Sequence, residues 1–263
     1  MTILTLGCNI VLVSERNKRF LSIEKGLVMY RIILDTETAG EVNNHNTLRV
    51  YDLGYKVVDS DFNTVATRDF VVGEIFYNNQ LMNTCYYKNK LPQYKEEIAQ
   101  GVRTIETFAN IRKQFIADCK EYGIKQVWAF NAGFDRDALN ATINFISNDI
   151  CNEFMPHGVK WCDIAAPACE LICSKESYFD FCLKNGYVSD KGNIRTTAEV
   201  IYRYLTNNID FVESHTGLKD VEIESEILFT CLKKRKKMNK KITNAAWRIP
   251  QKRFKEYKKK KQK

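Results

Sequence analysis

The sequence predicts an α/β fold: a mixed sheet, with an antiparallel meander joined to parallel strands, flanked by helices. Three observations predict it. The apolar run Ile32-Ile33-Leu34 has the composition of a buried central strand and runs straight into acidic residues. Two further strand-like stretches follow, Leu48 to Val58 and Asn63 to Val72, with Asp59-Ser60-Asp61 supplying turn chemistry between them. After Thr107 the apolar spacing becomes helical and then alternates with short buried strands, the pattern of an α/β chain.

Taken in order, the chain opens with an apolar run from Met1 to Val13. It is too short to span a bilayer and lacks the basic stretch of a signal peptide. Residues 1–28 are expected to be a dispensable extension, with Met29 as an alternative start just before the central strand. Residues 74–104 are irregular and carry Tyr77, Tyr86, Tyr87 and Tyr94, which reads as a flexible cover whose aromatics either stack on bases or pack beneath the loop. Phe108, Ile111, Phe115, Cys119 and Tyr122 share one helical face, and Gly123 ends that helix. Gln126 to Phe130 is a strand, a helix runs from the following turn to about Ser147, and Lys160 to Ile164 is a last short strand. Helices are predicted over 164–173, 177–185 and 196–206, the last opened by Thr196 or Thr197 with Glu199 as a capping box. A final helix begins near Gly217, with Leu218, Val221, Leu228 and Leu232 on its buried stripe.

Composition limits the function classes. At 263 residues and 44% hydrophobic content, the chain can bury a real core. Its nine cysteines form no C-x-x-C pair and only three histidines are present, which argues against a zinc cluster and for reduced thiols in a cytoplasmic setting. No stretch is long and apolar enough to cross a membrane as a helix. The net charge of +8 hides an asymmetry: residues 233–263 hold 16 of the 40 basic residues and one of the 32 acids. An acidic body with a basic C-terminal tail favours a polyanionic partner, the plain alternative being a solvated tail with no ligand.

Three acidic motifs carry chemistry. Asp35 and Glu37 lie two apart on a strand and so point to the same face. Like charges side by side are costly unless a cation lies between them, and Mg²⁺ or Mn²⁺ prefers such oxygen ligands. Asp135 follows a strand-to-helix turn that starts at Asn131, where ligand sites of open α/β sheets gather; a helix N-cap is its bland explanation. His215 directly precedes the last helix and Asp220 falls in its first turn, where plain helix electrostatics is the alternative.

Each motif alone is weak. Together, Asp35-x-Glu37, Asn131-x-x-Phe134-Asp135, and His215 with Asp220 five positions on closely resemble the DEDD exonuclease superfamily. Histidine in the third motif places the resemblance in the DEDDh branch, with the proofreading epsilon subunit of DNA polymerase III. Arg195-Thr196-Thr197-Ala198-Glu199 and Glu213-Ser214-His215-Thr216 look most like stand-alone bacteriophage exonucleases. The resemblance covers about residues 30–232, giving an extension (1–28), an exonuclease domain (29–232) and a basic tail (233–263). It departs from the usual pattern at Phe130, where many relatives have histidine, and at Thr216-Gly217-Leu218, where x-Ala-Leu is usual.

The resemblance implies a ribonuclease H-like fold and 3′→5′ hydrolysis of single-stranded nucleic acid at two Mg²⁺ or Mn²⁺ ions held by Asp35, Glu37, Asp135 and Asp220. His215 would be the general base, and Thr38, Asn131 and Phe134 would contact the substrate. DNA 3′ ends are the favoured partner, RNA the nearest alternative, and an inactive ribonuclease H-like binding module a third. A DNA polymerase or replication protein as partner, and the host cytoplasm as location for a phage-encoded chain, also follow from the resemblance.

Overall fold

The computed structural model describes residues 2–6, 9–13, 29–41, 43–147, 153–234, 237–243 and 245–262. Strands β1 (Thr2–Leu6) and β2 (Asn9–Val13) pair antiparallel as a two-stranded sheet of their own. The remaining strands are β3 (Arg31–Ala39), β4 (Arg49–Val58), β5 (Thr64–Val72), β6 (Thr104–Glu106), β7 (Gln126–Ala129) and β8 (Lys160–Asp163). They form one sheet in the order β6-β5-β4-β3-β7-β8. β3, β4 and β5 are the antiparallel meander; β6 joins β5 in parallel, and β7 and β8 extend the other side in parallel. This is the mixed, ribonuclease H-like sheet expected from the sequence.

Alternation along β3 divides the core. Ile32 and Leu34 face one side; Ile33 faces the other. Between β5 and β7 lie α1 (Gly73–Phe76), α2 (Asn79–Met82), α3 (Leu91–Ala99) and α4 (Phe108–Glu121). Gly123, at φ +61°, ends α4 as expected. α5 (Ala132–Ser147) packs on the same face of the sheet, where the Thr142 hydroxyl accepts the Val50 amide at 2.9 Å. The opposite face carries α6 (Ala165–Leu171), α7 (Glu176–Lys184), α8 (Ala198–Thr206), α9 (Gly217–Lys233) and α10 (Arg248–Lys261). Thr197 caps α8, accepting the Val200 amide.

Two expectations are revised. Residues 74–104 are not a loose cover. They hold three short helices and lead into β6, and Tyr94 is fully buried beneath them. Elements of four residues are too short to show a period, which is why they did not register. The basic C-terminal segment stands apart by charge but not by packing. α10 buries Phe254 and Tyr257 in the second core cluster, and Gln251 bonds both the amide and the carbonyl of Ile194, at 2.9 and 2.7 Å. Tyr257 and Lys261 both donate to Asp180. Lysine density hid an amphipathic helix whose apolar positions are Pro250, Phe254 and Tyr257.

Candidate active site

The site begins where β3 meets β4. Asp35 pairs across the ladder with Gly54, and Glu37 with Asp52, so all four project on one face. Immediately after Glu37 the register slips: Thr38 pairs with Val50, leaving Tyr51 as the extra residue of a bulge. Bulges re-aim side chains, and here one closes the acidic pair. Gly54 provides the opening. A Cβ there would fall on the backbone of Gly217 and Leu218, so only glycine lets the start of α9 rest on the strand. That close approach carries His215 and Asp220 to the carboxylates of β3. Glu37, His215 and Asp220 each present a ligand atom, and these atoms all lie within 4.8 Å of one another.

Asp135 arrives from the other side of the sheet. Asn131, at φ +63°, turns the chain out of β7, and its amide donates to the buried Asp163 carboxylate at 3.1 Å. Asp135 lies in the first turn of α5 rather than at its cap, and Thr36 donates to its Oδ1 at 2.9 Å. Phe134, directly before Asp135, is half-buried and edge-on to His45 at 5.6 Å, and Thr38, directly after Glu37, is half-buried at the bulge.

The electrostatics are those of a cation site. Burial raises Asp35 well above the ordinary carboxylate range, and Glu224, Asp135, Asp220 and Glu37 push the same way, although part of Asp35 reaches solvent. Glu37 is pushed up to about 9, first by burial and then by Asp220 and Asp52. Burial and Glu213 push Asp220 up to about 8. Asp135 rises to about 7 by burial, opposed by the Thr36 hydroxyl. Asp220 Oδ1 and Glu224 Oε2 are buried with no hydrogen-bond partner among the described residues. Buried carboxylates gathered this way are expensive without a compensating cation, so the donor set of hard carboxylate oxygens fits a divalent cation such as Mg²⁺ or Mn²⁺. His215 is shifted the opposite way: desolvation lowers it, and so does Lys90, against Glu199.

Searched by sequence, the chain matches no protein-family model and no curated protein. Its fold does have solved likenesses. The nuclease domain of 3′hExo, a DEDDh family member bound to rAMP, is 16% identical with a TM-score of 0.52, over 82% of this chain and 98% of that one. A 3′-exonuclease whose structure shows 3′-end specific recognition of a histone mRNA stem-loop is 15% identical with a TM-score of 0.52, over 87% of this chain and 74% of that one. The chain has the fold of the DEDDh exonucleases.

Within that fold, the acidic motifs named from the sequence converge, and a supporting layer appears whose role is not visible in the sequence, Glu199 holding the chain ahead of His215 rather than completing a capping box. Asp52, fully buried, accepts from Arg103 at 2.8 Å through Oδ1; through Oδ2 it accepts from Tyr94 at 2.5 Å and from the Gly217 amide at 3.0 Å. It therefore pins the first residue of α9. Glu199 accepts the Glu213 amide at 3.2 Å and pairs with Arg203 at 2.9 Å, fixing the chain just ahead of His215. Glu224 lies one turn beyond Asp220, and burial, then Asp135 and Asp220, push its carboxyl well above the ordinary range. A signal for it existed: an acid directly within the apolar stripe of Val221, Ile227 and Leu228. Among the described residues, no helix is long and apolar enough to cross a membrane.

Proposed function

We propose that this chain is a metal-dependent 3′→5′ exonuclease that shortens single-stranded nucleic acid one nucleotide at a time. The observation that carries the reading is the convergence of Asp35, Glu37, Asp135 and Asp220 with His215 at one end of β3. Two divalent ions bound there would supply charge neutralisation at the scissile phosphate and at the attacking and leaving oxygens. Asp35, Glu37, Asp135 and Asp220 would hold those ions, which explains why so many acids share a buried floor. His215, depressed in pKa and therefore neutral at pH 7, has a ring nitrogen free to take the proton of an attacking water. Thr38, next to Glu37, and Phe134, next to Asp135, would contact the terminal nucleotide. Asn131 shapes the turn through its backbone, so its contribution is to place Asp135.

DNA is the substrate the family resemblance favours. Activity on RNA is the second reading, supported by two proteins of the same fold whose structures contain rAMP and a histone mRNA stem-loop. The test is the full chain with Mg²⁺ or Mn²⁺ and 5′-labelled single- and double-stranded DNA and RNA. A ladder receding by single nucleotides from the 3′ end is expected. Internal cuts, a ladder of the opposite polarity, or unchanged strands at all metal concentrations would refute it.

A further inference from the structure

The ring of Tyr87 lies flat on the ring of His215, centroids 3.9 Å apart and planes 11° from parallel. Both partners are firmly anchored. Upstream, the Thr84 hydroxyl accepts the Gly40 amide at 2.9 Å, tying the segment to the end of β3, and Cys85 is buried. Downstream, Tyr94 and the Gly217 amide share Asp52 Oδ2. One carboxylate oxygen thus joins the helix after Tyr87 to the helix after His215. His215 also holds a φ of +53°, in the left-handed region that few residues with a Cβ adopt.

The stack engages the imidazole through its face. Nδ1 still looks towards Glu213 Oε2, at 4.0 Å, and the histidine keeps a ligand atom within 4.8 Å of those of Glu37 and Asp220. An unsupported imidazole samples its rotamers freely, on picoseconds to nanoseconds. A flat aromatic contact removes that freedom without consuming either nitrogen.

On the exonuclease reading above, we propose that Tyr87 is a positioning residue: its ring fixes the plane of His215, so that the imidazole meets the attacking water in one orientation.

The test compares Tyr87→Phe and Tyr87→Leu in the full chain. Phenylalanine keeps the face and should retain near wild-type turnover. Leucine should lower kcat by about 10- to 100-fold, the scale of a misplaced catalytic group, with KM and Mn²⁺ affinity nearly unchanged. In a His215→Ala background, Tyr87→Leu should do nothing further. A phenylalanine variant as impaired as leucine would overturn the proposal, because the hydroxyl would then be the working part. A raised KM with intact kcat would also overturn it, marking Tyr87 as a substrate platform. A second readout needs no turnover. The chain has three histidines, so the His215 ring protons are assignable by NMR; the stack predicts that they move on Tyr87→Leu and stay in place on Tyr87→Phe. Unmoved resonances in the leucine variant would refute the contact. If the resonances move on Tyr87→Leu while the wild-type protein cuts no strand, the exonuclease reading is refuted and the contact stands.

Discussion

Gly217→Ala sets two effects of known size against each other. Alanine in a helix is favoured over glycine by about 1 kcal/mol, so propensity alone predicts a more stable protein. Packing predicts the reverse. The new Cβ would lie 2.7 Å from the Gly54 nitrogen and 3.1 Å from the Asp35 carbonyl oxygen. The first distance is 0.7 Å short of the 3.4 Å at which ordinary contact begins, and both neighbours are strand backbone with nowhere to turn. Overpacking of this kind costs roughly 1–3 kcal/mol and outweighs the propensity gain. Helix α9 must lift, stretching the Gly217 amide away from Asp52 and carrying Asp220 and His215 off the carboxylates of β3. A displacement approaching 1 Å costs on the order of 10²-fold in rate. The expected result is a folded protein that melts a few degrees lower, at about 2–4 °C per kcal/mol, with kcat down by about 10- to 100-fold. Gly54→Ala should be worse, since its Cβ falls on two residues of α9. Calorimetry and single-turnover cleavage decide the matter. A Gly217→Ala protein that melts higher and keeps wild-type kcat would show that the helix start is soft and that its close approach does not position the site.

Asp35→Ala and Asp135→Ala should each abolish cleavage yet fold, with metal-free stability unchanged or raised because like-charge repulsion falls; near wild-type turnover in either would remove that residue from the metal site. His215→Ala should lower kcat by roughly 10²–10⁴-fold with Mn²⁺ affinity little changed, whereas collapsed metal binding would make it a ligand. Without metal, the protein should lose stability as pH rises. Glu37, Asp220 and Asp135, with native values of about 9, 8 and 7, keep protons that the unfolded chain gives up near 4, so their stabilising effect is full below 4 and is lost as pH climbs through 7 to 9. Thermal melts at pH 5 and pH 8.5 should show that drop, and Mg²⁺ should reduce it. Lys252→Ala, Lys255→Ala and Lys259→Ala together on the exposed face of α10 should raise KM with kcat unchanged, and each lost phosphate contact should flatten the log–log salt slope by about 0.7; an unaltered slope would place the substrate elsewhere.

What was legible in the sequence was whatever repeats or breaks a period. The apolar run before Asp35, the long helices α4, α5 and α9, and the glycine at 123 all announce themselves locally. The acids at 35, 37, 135 and 220 were legible because their spacing and order matched a known pattern. Asp52 and Arg103 were not, and Glu199 read only as a capping-box acid, whereas it holds the Glu213 amide and Arg203. Each acts through a partner 14 to 165 residues away in sequence, and such a pairing leaves no local trace. Tyr87 was visible only as one aromatic among several. Its meaning comes from a stack on a residue far downstream, His215.

The departure at Gly217 and the glycine at 54 are one feature rather than two. Sequence shows a missing methyl group at the start of α9 and, far upstream, a glycine in the middle of a strand that otherwise reads as well formed. A glycine inside a strand weakens it, with no side chain to pack, and so calls for a reason. The structure supplies one: Gly54 lies against Gly217 and Leu218, opposite Asp35 in the ladder. The helix can then approach the sheet closely enough for Asp220 to reach Glu37 and for Asp52 to take the Gly217 amide. Strand propensity is given up at one position so that carboxylates from two elements share a site. That is the same trade as the burial of their charges, in which local stability is lowered where the chemistry needs groups held close together.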